Sequence, residues 1–84
     1  MGLDLVELAL AIEEEFDISI TDAKLEKIRT PMDYAIYLSE TVYKNQEKEF
    51  LEILETVMEI SIEQLALDAY QISPHSRYIE DLGA

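Results

Sequence analysis

LDLVELALAIEEEFDISI, residues 3–20, decides the fold. Leu5, Leu8, Ile12 and Phe16 recur at spacings of three and four, which sets them on one face of a helix. That face is expected to enter a core. Leu3, Val6 and Leu10 make a second apolar row at the same spacing, framed by Asp4, Glu7, Glu13, Glu14 and Glu15. An exposed apolar row bordered by carboxylates suits a basic partner protein. A helix buried on two sides of a small bundle gives the same pattern. The helix is expected to end between Glu15 and Asp17, because Asp17, Ile18, Ser19 and Ile20 bring weak helix formers and β-branched residues.

Outward from this stretch, Thr21 is placed to cap a short helix over Asp22–Ile28, with Leu25 and Ile28 turned to the core. Thr30-Pro31-Met32-Asp33 is a helix start: Thr30 caps, Pro31 suits the first helical position and Asp33 can reach back to the cap. The helix that follows carries Ala35, Ile36, Leu38 and Val42, with Tyr34, Tyr37 and Tyr43 along its flanks and their hydroxyls in water. Lys44–Lys48 is the most polar interval. It reads either as a turn with Asn45 in a left-handed conformation or as continuous helix. Another helix is expected from about Glu47 to Ile60, with Phe50, Ile53, Leu54, Val57 and Met58 on one face. From Ser61 on, the periodicity weakens, and Ser73-Pro74-His75-Ser76 reads as part of a long ordered loop of the functional kind.

Composition narrows the class to one small domain. The 84 residues hold 6 Lys and Arg against 19 Asp and Glu, a formal net charge of −13. Such a chain repels phosphate backbones and anionic lipid, so nucleic acid and membranes are excluded as partners. It attracts basic protein surfaces, at rates that fall with added salt. There is no Cys, which removes disulfides, thiolate chemistry and Cys-based metal sites. The N-terminus lacks the basic region of a signal peptide and no apolar run reaches transmembrane length, so a cytoplasmic protein is expected. With 2 Gly and 2 Pro, an all-α fold is expected over a turn-rich β fold.

No set of residues converges on catalysis or on a metal. His75 is the only His and lies in loop sequence, so it reads as a solvated side chain. Glu13-Glu14-Glu15 points about 100° apart per residue and reads as a solvated helix face rather than paired acid and base. Glu80-Asp81 offers at most a weak divalent-ion site. An enzyme, such as a metal-dependent hydrolase, is disfavoured.

Two stretches resemble the acyl carrier proteins. Leu3–Glu40 resembles the second half of that family: LDLVEL opens its second helix, EEEFDI ends it, a short third helix runs through Lys27-Ile28, and the last helix begins near Pro31. Tyr78–Ala84, YIEDLGA, resembles the run that leads into the family's Asp-Ser-Leu motif, and Glu49–Ile60 resembles its first helix. The order differs from the family's, since its second, third and fourth helices come first here. The resemblance therefore implies a single domain over 1–84, an acyl-carrier-like four-helix bundle with permuted connectivity. Residues 1–43 would match family helices two to four, 44–48 would join the old termini, and 49–84 would match the first helix and the long loop.

In the family, the motif Ser carries 4′-phosphopantetheine through a phosphodiester, and the arm's terminal thiol holds the acyl chain. Reading Ala84 on into Met1 places Gly2 at the Ser position. Gly2 has no hydroxyl, and Ser19, Ser39, Ser61, Ser73 and Ser76 lie outside any such motif, so no cofactor is expected on this chain. The resemblance further implies that Leu3, Asp4, Val6, Glu7, Leu10, Glu13 and Glu14 dock the basic surfaces of synthase, acyltransferase or phosphopantetheinyl transferase enzymes. Any acyl pocket between the helices is expected to be filled by repacked side chains. The Met-Gly start at the cut points to an engineered permutant, with a natural permuted gene as the other origin. The alternative function is purely structural, a test of the fold with no partner binding.

Linker geometry sets the oligomer. If helix continues through 44–48, roughly 28 residues at about 1.5 Å each make a rod of about 40 Å. Its halves could pair only with a second chain, as a domain-swapped dimer. A turn at Asn45 closes a monomer, which the net charge and the family's neighbouring termini favour.

Overall fold

The computed structural model describes residues 2–43 and 49–83, with side chains from Asp4 onward in the first helix. Among the described residues there are four α-helices and no strand: α1 (Gly2–Phe16), α2 (Asp22–Leu25), α3 (Pro31–Thr41) and α4 (Phe50–Leu65), followed by a 3₁₀ turn at Ala69–Gln71. α4 packs against both α1 and α3. Leu8, Ile12 and Phe16 of α1 meet Tyr34, Ala35 and Leu38 of α3 and Ile53, Leu54 and Val57 of α4, and Ile20 and Tyr78 close the core from the loops. Leu8 and Ile12 are fully buried, each worth about 1.5–3 kcal/mol relative to exposure. No described helix is long and apolar enough to cross a membrane.

α1 ends as its sequence implies, with a specific mechanism. Asp17 adopts the left-handed region (φ 54°). The amide of Asp17 then reaches the carbonyl of Glu14, and that of Ile18 reaches Glu13 at 3.0 Å, which satisfies two terminal carbonyls. α3 starts on the expected capping box: Thr30 accepts from the Asp33 amide at 3.1 Å, and Asp33 accepts from the amides of Thr30 and Arg29.

Four expectations need correction. α2 stops at Leu25 rather than Ile28, because Lys27 and Ile28 donate three residues back, to Lys24 and Leu25, and tighten the chain out of the α-helix. α4 runs to Leu65 rather than Ile60. Ser61, the apparent break, sits in the core with its hydroxyl satisfied, and the helix ends where Ala66 turns left-handed (φ 53°). Tyr34 is buried at 4% exposure rather than flanking α3. The 73–78 segment folds over it, held by Met32 N–H to Pro74 O and Tyr78 N–H to Arg29 O, both 2.9 Å. Ile36 is exposed, one residue and about 100° past Ala35, which faces the core.

The choice between turn and continuous helix at Lys44–Lys48 falls outside the described residues. On either side, α3 is closed by Val42 and α4 begins after Glu49, whose backbone is extended (φ −70°, ψ 140°). One unbroken helix from Pro31 to Ile60 is therefore not formed.

Candidate functional site

The exposed side of α1 carries the expected row. Val6 and Leu10 are 54% and 55% exposed, while Leu8 and Ile12 of the same helix are fully buried. Asp4, Glu7 and Glu14 are exposed around them. The side chain of Leu3 falls outside the described part of the chain. Two large apolar side chains held in water on a rigid helix, with carboxylates on both sides, form a surface that a basic protein can bury and pair with.

Glu13 differs from its neighbours. It is half-buried, and its Oε2 accepts the backbone N–H of Ile20 at 2.6 Å. It therefore holds the exit from α1 in place as well as contributing charge, and the Glu13–Glu15 run is not uniformly solvated. No sequence signal marks this seven-residue reach.

Beside the row lies a groove that the sequence reading did not foresee. Its volume is about 530 Å³, and it is walled by Leu5, Val6, Ala9 and Leu10 of α1, by Ile20, Leu25 and Ile28 of the α1–α3 connection, and by Tyr34 and Tyr78. Its acidic groups are Glu13, Asp22 and Glu26, and the described lining includes no Lys, Arg or His. A second cleft of about 420 Å³ brings Leu5 of α1 together with Tyr78, Ile79 and Glu80. The segment 78–80 therefore shares this cleft with Leu5 near the beginning of α1.

Several hydroxyls and acids of α4 and the long loop are engaged in structure. Ser61 is buried and bonded to the Val57 carbonyl at 2.8 Å and to the Tyr78 hydroxyl at 2.7 Å. Ser73 and Ser76 bond to each other at 3.1 Å. Asp81 accepts from the Arg77 guanidinium and backbone amide, and Glu80 lies 3.6 Å from the same guanidinium. The pair weighed as a weak cation site is thus occupied with Arg77, and the described residues hold no cluster of three or more His, Asp or Glu suited to a metal. His75 is exposed. Gly2, at the start of α1, supplies no side-chain oxygen and so cannot anchor a phosphodiester.

No family model matches the chain, and no solved structure matches it. A curated acyl carrier protein of Bdellovibrio bacteriovorus is 54% identical over 37 residues. That stretch is 44% of this chain and 47% of the relative, so the chain spans about half the length of the curated relative it matches. The likeness to acyl carrier proteins read from the sequence is borne out by this identity over 37 residues.

Proposed function

We propose that the chain is an acyl-carrier scaffold with the second half of the family fold placed first, which docks basic enzyme surfaces but carries no 4′-phosphopantetheine. The observation that carries the docking reading is the α1 surface, where Val6 and Leu10 stand exposed among Asp4, Glu7 and Glu14. The partners are the basic faces of synthase, acyltransferase or phosphopantetheinyl transferase enzymes, with Leu3 and Glu13 completing the row. The role is that of a carrier module rather than an enzyme, in keeping with the named relative.

Permuted order is supported by the placement of Tyr78, Ile79 and Glu80 beside Leu5. In the family, the run resembling Tyr78–Ala84 leads directly into the helix resembling α1, and here the two remain neighbours in space. Gly2 matches the attachment Ser by this alignment. The residues present do not fit the cofactor, because the phosphodiester requires a hydroxyl at that position and Gly2 has none.

An isotope-labelled NMR titration with a phosphopantetheinyl transferase and coenzyme A, followed by intact mass, tests both parts. Shifts concentrated at Val6, Glu7 and Leu10 with no added mass are expected. A folded spectrum without shifts overturns the docking reading and leaves a purely structural scaffold. A mass gain overturns the assignment of Gly2, since another hydroxyl would then be modified.

A further inference from the structure

The charges around the groove are sorted by position. Asp4, Glu7 and Glu14 stand exposed on α1. On the opposite bank, Asp22 and Glu26 line the groove together with Leu25 and Ile28. Lys24 and Lys27 alternate with these residues, are exposed, and line neither of the two cavities. They therefore form a ridge on the outer side of α2 and of the turn after it. Arg29 follows at the second cleft. The bond from the Tyr78 amide to the Arg29 carbonyl brings Arg77 to the same region. Among the described residues, these four are the Lys and Arg side chains. Arg77 is paired with Asp81 and Glu80. Lys24, Lys27 and Arg29 form no ion pair among the described residues, in a chain with 19 Asp and Glu.

Size carries a docked partner across the groove. One face of the 15-residue α1, about 22 Å long and about 10 Å wide, offers roughly 220 Å². A stable interface buries about 800 Å² per partner. Adjoining apolar surface lies in the groove, where Leu5, Leu25 and Ile28 are half-buried. A basic face that spans α1 and the groove meets Asp22 and Glu26 on the far bank, which attract it. One step further it meets Lys24 and Lys27, which repel it. We propose that the partner docked on α1 straddles the groove and presents a carboxylate border to Lys24, Lys27 and Arg29, so that this ridge fixes the orientation of docking. The proposal rests on the docking reading of α1 and adds the charge pattern its partner must have, a basic face edged with acid.

Calorimetry of the whole chain with a phosphopantetheinyl transferase, at low and at physiological salt, tests the inference through the sign of one effect. General attraction between an acidic chain and a basic enzyme makes added negative charge tighten binding. The ridge makes it weaken binding. K24E/K27E is expected to weaken binding about threefold to tenfold, with an unchanged helical spectrum, and the loss should shrink as salt is added. K24Q/K27Q is expected to lose less in the same direction, and it alone decides the matter where the Glu variant loses helix. E7Q is expected to weaken binding through the α1 row, which separates the two readings. A loss in E7Q with unchanged or tighter binding in the ridge variants keeps docking on α1 and overturns the ridge. No loss in E7Q overturns the docking reading, and the ridge falls with it.

Discussion

The hydroxyl of Tyr78 lies 2.7 Å from that of Ser61, in the core and across 17 residues of sequence. Ser61 donates its only proton to the Val57 carbonyl at 2.8 Å, so Tyr78 must be the donor in the pair. The two bonds tie the long loop to α4 through one buried chain. Removing the acceptor and removing the donor therefore have different consequences. S61A leaves the Tyr78 O–H buried without a partner and is expected to cost about 1–3 kcal/mol, whereas Y78F leaves Ser61 bonded to Val57 and is expected to cost about 0.5–1.5 kcal/mol. Urea unfolding of both variants and of the double variant checks this. The double variant should lose less than the sum of the two, and a larger loss for Y78F than for S61A would reverse the donor assignment.

Two buried phenols set an alkaline limit on the fold. Burial, aided by the Glu13 charge, pushes Tyr34 from 10.0 to about 12. Burial pushes Tyr78 up further, against the opposing effect of its bond to Ser61. Both pKa values are higher folded than unfolded, so their contribution is complete below pH 10 and is lost as pH rises through 10 towards 12 and beyond. Tyrosinate absorbance and helix content, followed together, should show the last phenol titrating as the helices melt. Y34F should lose a smaller share of its neutral-pH stability over the same window.

At the surface, Arg77 lies between two acids and pairs more closely with Asp81 than with Glu80. The Asp81 carboxylate takes two bonds from the guanidinium and one from the Arg77 amide, which hold its pKa below the ordinary 3.8. A depressed carboxylate contributes above its unfolded pKa and stops contributing as pH falls through its folded value. Carboxyl-detected NMR titration should therefore find Asp81 below 3.8, and in R77Q it should move up towards that value. The backbone amide of residue 77 remains as a donor in R77Q, so part of the depression should persist.

How far the residues alone announce this molecule depends on what kind of signal each element used. Thr30-Pro31-Met32-Asp33 and the Leu8–Ile12–Phe16 stripe are local codes, a cap and a period, and the structure realises both. The sequence of α4 reads short because Ser61 interrupts an apolar stripe. Its burial depends on Tyr78, which the fold alone brings to it. Tyr34 reads as a solvent-facing flank for the same reason: the 73–78 segment that covers it is distant in sequence. Val6 and Leu10 were legible as a row, and their exposure followed once the opposite face of α1 went to the core. The groove was not legible, since its walls come from α1, α2, α3 and the loop together.

Ala66 marks a site where the sequence works against its backbone. It closes α4 in the left-handed region at φ 53°, where a Cβ costs roughly 1–2 kcal/mol. Glycine has no such penalty but loses more freedom on folding, about 0.4–1 kcal/mol. A66G is therefore expected to stabilise the fold by about 0.5–1 kcal/mol, seen as a higher denaturation midpoint with an unchanged denaturant slope. A lower midpoint would show that the alanine methyl contributes packing that outweighs its strain.

A single-chain association state is expected from how α3 and α4 end. Val42 closes α3, Glu49 is extended before α4, and the two helices lie against each other within one chain. A swapped dimer requires them to separate and join as one rod, which the extended Glu49 backbone interrupts. The formal net charge of −13 adds repulsion between copies, strongest at low salt. Sedimentation equilibrium is expected to return one chain, 9.7 kDa, independent of concentration and of salt. Replacing Glu49 with alanine, a strong helix former, should leave that mass unchanged, because the α3–α4 contact and not the identity of residue 49 holds the two helices together. A twofold mass that persists on dilution would mean that the α3–α4 contact forms between chains instead.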